Sequence, residues 1–235
     1  MTAMNAFFKP APTLPRKTGA RLVPCIASLC LCLLMAGCSF LKPARPTARF
    51  YVLTPLPPST AAPAPADASI TGLGLGPVKV ASYLFNTSMA VRRGANEVDY
   101  LASTVWAERL DTGFQRVLAS DLATVLPTDR LLLSAWQMGD VAMELHVVVE
   151  QFDVAANGQG QLVARWRIVS PGGESILKSG STRLTRQGPV PDTDAPGAVA
   201  TLSDLVADFS RQLAVALRET APVPKTSSNT LPPGP

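Results

Sequence analysis

The sequence predicts an α+β domain: an antiparallel or mixed β-sheet with two amphipathic helices packed on one face, preceded by a signal peptide and a Pro-rich tether. Three observations carry that prediction. Two apolar stripes recur at helical spacing, an alternating run sits between turn residues, and a basic-then-apolar leader opens the chain.

Of 235 residues, 47% are hydrophobic and 16% charged. That supports a core and excludes a chain disordered throughout, a coiled coil or a charged tail protein. The formal charge of +4 points at face value to a polyanion or an anionic surface. Its location removes that reading. Lys9, Arg16, Lys17 and Arg21 are the only charged side chains before Cys38, and an apolar run from Leu22 to Ala36 follows them. Residues 1–37 therefore read as a secretory signal peptide, the run being shorter than the roughly 20 residues that span a bilayer. Of 21 Lys and Arg, these four leave with the leader, so 17 balance 17 Asp and Glu in a neutral mature chain.

The leader ends Leu34-Met35-Ala36-Gly37-Cys38, which resembles the bacterial lipobox whether translation starts at Met1 or Met4. Cys38 is then the first mature residue and carries acyl chains, palmitate among them. Ser39 in place of Asp favours outer-membrane sorting by analogy. Cys25, Cys30 and Cys32 depart with the leader, so no disulfide, cysteine metal site or thiol nucleophile remains in one mature chain.

Residues 38–68 form the expected tether, with seven prolines between Leu41 and Ala68. Inside it, Phe50-Tyr51-Val52-Leu53 is β-prone and suited to pair with a sheet edge. Residues 69–220 are the expected domain, and residues 221–235, with five prolines, a disordered tail.

Within the domain, Gly74 to Val80 reads as one strand entered through a glycine-rich bend. Met89–Arg93 and Glu97–Tyr100 flank Gly94-Ala95-Asn96, a hairpin signal. Ser103 or Thr104 can cap a following helix whose stripe is Trp106, Leu110, Phe114, Leu118, Leu122 and Val125, stopped by Pro127. From Val141 to Val149 the odd positions are apolar, while Glu144, His146 and Glu150 face away. Asn157-Gly158 and Pro171-Gly172-Gly173 mark turns around a strand with Leu162, Ala164, Trp166 and Ile168 on the core side, and Ile176–Thr185 is the next strand. Leu202, Leu205, Val206, Phe209, Leu213, Ala216 and Leu217 form the second helical stripe.

Catalytic chemistry is sparse. Gly72 to Gly76 leads into Pro77 and a strand, not the Gly-Lys-Ser/Thr or strand–turn–helix context of a nucleotide loop. His146 is the only histidine, too few for a usual catalytic zinc set. Glu108 and Asp111 are expected to be solvated or paired with Arg109 or Arg116. Arg92-Arg93 and Arg165/Arg167 lack interleaved aromatics and net charge, which argues against nucleic acid. The residues favour a non-catalytic module without cofactor or metal over an enzyme.

Tyr51-Val52-Leu53-Thr54-Pro55, Leu75-Gly76-Pro77-Val78-Lys79-Val80 with Tyr83-Leu84, Tyr100 before Trp106-Ala107-Glu108-Arg109-Leu110, and Phe114 to Leu122 occur in that order along the chain. Together they resemble the ABC-type transport auxiliary lipoproteins of the PqiC/YmbA group, over roughly residues 50–170. Arg109 stands where that family usually has proline, and Ala81-Ser82 where it has Pro-Asp. The resemblance implies an outer-membrane lipoprotein on the periplasmic face. Its partners would be an MCE-domain protein and transporter permease components of an intermembrane lipid transport system. Tyr83, Tyr100, Trp106 and Glu108 are then the residues that shape the family surface or its supporting core. A homo-oligomer stays open, as do two other readings: a pilotin or secretion accessory, and a periplasmic lipid-binding carrier.

Overall fold

The computed structural model describes residues 47–58, 70–126, 128, 130–133, 136–137 and 139–221. The leader, Cys38 and the tail beyond Ala221 lie outside the described residues. In chain order the strands are β1 (Arg49–Tyr51), β2 (Leu73–Leu75), β3 (Lys79–Val80), β4 (Ser88–Gly94), β5 (Glu97–Trp106), β6 (Leu131–Leu133), β7 (Met143–Ala155), β8 (Gln159–Val169) and β9 (Ile176–Gln187). Helix α1 (Leu110–Val125) follows β5 and α2 (Ala195–Thr220) follows β9.

Strand β7 organises the sheet. One edge pairs antiparallel with β8, which pairs antiparallel with β9. Along the other edge β2, β3 and β4 dock in parallel, at Met143–Leu145, Val148–Val149 and Val154–Ala155. The alternation that the sequence displays is observed: Met143, Leu145, Val147 and Val149 are all at most 1% exposed. A register shift between Val149 and Gln151 then inserts Glu150 as an extra residue. The bulge reverses parity, so Phe152 and Val154 become the buried positions.

Both helical stripes are buried. Phe114, Val117, Leu118 and Leu122 of α1 meet Leu202, Val206, Phe209 and Leu213 of α2 in one core against the sheet. Phe114 packs edge-on against Phe152 of β7, ring centroids 5.3 Å apart. That is the α+β arrangement the periodicities predict. Asp194 caps α2 through its side chain, accepting from the Gly197 N–H at 3.0 Å.

Three local expectations are corrected. The stretch Gly74–Val80 is two short strands, because Pro77 has no N–H for the ladder and the chain steps to a new register along β7. Trp106 ends β5 and does not open α1, which starts at Leu110 behind Arg109. Ser103 and Thr104 are accordingly strand residues, not caps. The cause is non-local: β1 lies parallel to Thr104–Trp106 and extends β5 to its end.

That pairing is the sheet-edge contact expected of Phe50–Leu53, and the chain after it is fastened to both helices. The Leu53 carbonyl accepts from Arg116 Nη2 at 3.0 Å. The Thr54 N–H donates to Ser203 Oγ at 3.1 Å and the Leu56 N–H to Asp121 Oδ1 at 2.7 Å. Leu53 is 2% exposed and joins the core.

Candidate functional site

The site begins with a single 3-10 turn, Ser82–Phe85, between β3 and β4. The Ala81 N–H donates to the Val149 carbonyl at 2.9 Å and Leu84 is buried, which pins the turn to the sheet. With Leu84 inside, Phe85 points outward and is 55% exposed.

Tyr83 reaches the opposite way, into the sheet. Its Oη donates to Asp153 Oδ2 at 2.8 Å and accepts from the Phe152 N–H at 3.3 Å. Arg92 grips the same carboxylate, Nη2 to Oδ2 at 2.7 Å and Nε to Oδ1 at 3.3 Å, and Gln151 Nε2 donates to Oδ1 at 3.1 Å. Asp153 is 0% exposed, so this set of donors is what makes burying its charge tolerable. Burial, then the adjacent Asp153 charge and hydrogen bond, raise the Tyr83 phenol well above its ordinary value. It therefore serves as a neutral donor. Tyr100, on β5, donates from Oη to the Tyr83 carbonyl at 3.0 Å and holds the turn's backbone from the other side.

The strand-to-helix elbow sits beside this turn. The Trp106 N–H donates to the Thr87 carbonyl at 2.7 Å and the Ala107 N–H to the Tyr51 carbonyl at 2.8 Å. Trp106 is 8% exposed and belongs to the core. Glu108 precedes α1 rather than lying in its first turn, where Asp111 is the acidic residue. Arg116 holds Glu108, with Nη2 2.7 Å and Nε 3.2 Å from Oε1. Gly113 lets that carboxylate lie against the helix, since a Cβ there would meet Glu108 Oε1 at 3.0 Å. Arg109 pairs with Asp111 at 2.6 Å and lies 5.4 Å over the Phe85 ring. Its φ of −58° and ψ of 137° suit the proline that the resembling family carries there.

Phe85, Asn86, Thr87, Glu108, Arg109 and Leu110 thus surround a recess of about 360 Å³. It has an aromatic wall and paired charges at its rim. The arrangement can receive an apolar or polar side chain of another molecule. Of the four family-motif residues, Tyr83 and Tyr100 meet directly, Glu108 lines the recess, and Trp106 belongs to the core. Asp153, Arg92 as its partner, and Phe85 were missed as site residues. An acid set directly between the apolar Phe152 and Val154 was the available signal for Asp153.

His146 lies elsewhere, with Nε2 3.2 Å from Glu144 Oε2. Glu144 is not a solvated strand acid: it is 7% exposed and its Oε1 accepts from Trp136 Nε1 at 3.0 Å and the Gly172 N–H at 2.8 Å. Burial pushes its carboxyl up, but the bonds from Trp136, Gly172 and His146 outweigh it and leave it below its ordinary value. Among the described residues no three His, Cys, Asp or Glu are grouped to hold a metal. Among them, too, no helix is long and apolar enough to cross a membrane.

Comparison with known proteins agrees with the resemblance. A crystal structure of an uncharacterized protein is similar at TM-score 0.58 and 18% identity, covering 73% of this chain and 99% of the other. Protein XCC0632 from Xanthomonas campestris, of the family DUF330, is similar at TM-score 0.59 and 13% identity, covering 73% and 96%. At such identities the likeness is one of fold. No curated protein matches significantly. Residues 51–214 match the family described as ABC-type transport auxiliary lipoprotein component, and the chain belongs to that family.

Proposed function

We propose that this protein is an outer-membrane-anchored periplasmic lipoprotein subunit of an MCE/ABC-type intermembrane lipid transport system, acting as a non-catalytic docking module that supports envelope integrity. Cys38 carries the lipid anchor, and the folded head engages an MCE-domain protein and, with it, the permease components. The observation that carries the reading is the convergence of Tyr83, Tyr100 and Glu108 on one exposed feature. Tyr100 and Asp153 hold the turn at Tyr83, and the turn presents Phe85 beside Glu108 and Arg109. Buried polar bonds that fix a turn while its aromatic stays 55% exposed support a contact surface rather than a reaction centre. Phe85, Arg109 and Glu108 form its face, and Trp106 belongs to the core.

The test is crosslinked affinity purification of the full chain from membranes, with mass spectrometry of the captured proteins. An MCE-domain protein is the expected partner. Phe85→Ser and Arg109→Glu should each reduce its recovery by about tenfold or more while leaving the thermal transition in place. Capture of pilus or secretin components instead would favour the assembly-accessory reading. Undiminished recovery with both variants would remove this face from the proposal. Cys38→Ser should release the chain from the outer-membrane fraction.

A further inference from the structure

The sheet face turned away from the helices carries a second recess, built by strand register. Lys79, Val148, Arg165 and Ser181 stand side by side across β3, β7, β8 and β9. His146, Arg167 and Ser179 form the neighbouring row. Side chains alternate along a strand, so these residues point away from Val147, Val149 and Ala164, which are at most 1% exposed in the core. Short serines on β9 beside long arginines on β8 leave a hollow of about 610 Å³, with Pro77 and Ile176 at its margins. The His146 ring lies close against Gly76, where a Cβ would come within 2.8 Å of Nδ1.

The charges in this hollow are unevenly matched. Arg165 is engaged by Glu150, and His146 by Glu144. Lys79 and Arg167 have neither an ion pair nor a side-chain hydrogen bond among the described residues. Two uncompensated cations therefore flank Val148, which is 39% exposed, with two serine hydroxyls alongside and Ile176, 65% exposed, at the end. The complement is an anionic group joined to hydrocarbon. A peptide carrying acidic charge along its length fits less well, because the exposed Val148 and Ile176 adjoin the two free cations and give an attached chain apolar surface. The hollow is also within the range of roughly 300–1,000 Å³ typical of small-molecule sites.

We infer that this outer-face hollow binds the anionic headgroup of a phospholipid. Its phosphate sits on Lys79 and Arg167 with hydroxyl donors from Ser179 and Ser181, and its first methylenes lie over Val148 and Ile176. The site is separate from the Phe85 face and does not depend on the partner assigned there.

Native mass spectrometry tests it on the full chain released from detergent. The chain is offered equimolar phosphatidylglycerol and phosphatidylcholine of the same chain length. A single phosphatidylglycerol adduct should predominate about tenfold or more, and the Lys79→Gln/Arg167→Gln double variant should bring the two lipids to parity. Val148→Ser should weaken both adducts while keeping the preference. All three side chains lie on the surface, so circular dichroism melts of the variants should match the parent. Equal adducts in the parent, or an unchanged preference in the double variant, overturns the inference. Displacement by inorganic phosphate would make it a free-anion site, and displacement by an acidic peptide would make it a peptide site; either also overturns it.

Discussion

Ser210 on α2 lies between two acceptors, its Oγ 2.8 Å from the Val206 carbonyl and 3.2 Å from Asp121 Oδ2 on α1. A serine hydroxyl has one proton to give. With that proton on Val206, the contact to Asp121 is satisfied when the carboxyl itself carries a proton. Burial raises the Asp121 carboxyl above its ordinary value in the same direction, against the lowering effect of the Leu56 N–H, Ser210 and Arg211.

The sign of the pH dependence follows. Between the ordinary aspartate value and the raised one, the folded chain binds more protons than the unfolded chain, so stability falls as pH rises through that window. Asp121→Asn keeps an acceptor for the Leu56 N–H and supplies a permanent donor to Ser210. Urea unfolding should show the variant at least as stable as the parent at pH 7, with its advantage shrinking at pH 4. A loss of stability at pH 7 would show that the charged carboxylate is the favoured form.

Tyr83→Phe should cost about 1–3 kcal/mol, because it leaves the buried Asp153 carboxylate one donor short. Arg92→Met should cost more, about 3–5 kcal/mol, since it removes the guanidinium that pairs with the buried Asp153 carboxylate. Chemical denaturation of both variants checks the order. If the two changes cost the same, Arg92 is not the carboxylate's principal partner.

Trp106→Ala should destabilise by about 3–5 kcal/mol, the range for removing a large aromatic from a core. The structure places this residue in the core, so partner recovery should fall in step with the folded fraction. A variant with an unaltered melt and lost partner would make Trp106 a contact residue.

Gly180→Ala tests one close approach. A Cβ at Gly180 would come within 2.5 Å of Trp166 Cζ2, while Trp166 Nε1 donates to Thr182 Oγ1 at 3.1 Å. Displacing the ring breaks that bond, for a loss of about 1–3 kcal/mol and a change in tryptophan emission. An unchanged spectrum would mean the sheet edge moves instead of the ring.

Periodicity decided by itself what each segment buries. Leu110, Phe114 and Leu118, and Leu202, Phe209 and Leu213, sit on the core side of their helices because a helix repeats every 3.6 residues wherever it is placed. The odd positions from Met143 to Val149 face inward for the analogous reason in a strand. The Trp106–Leu110 motif and the Tyr51 run likewise located the family from sequence alone. Local pattern could not say that Trp106 is a strand residue, since that depends on β1 arriving from about fifty positions earlier. Nor could it reveal that Glu150 bulges and so turns Asp153 to the sheet face away from Phe152, where it meets Tyr83 and Arg92. The outer-face hollow has the same origin: Lys79, Val148, Arg165 and Ser181 adjoin because four strands share one register. Side-chain direction within an element is a short-range property and is written in the chain, whereas pairing between distant strands is settled when their edges meet.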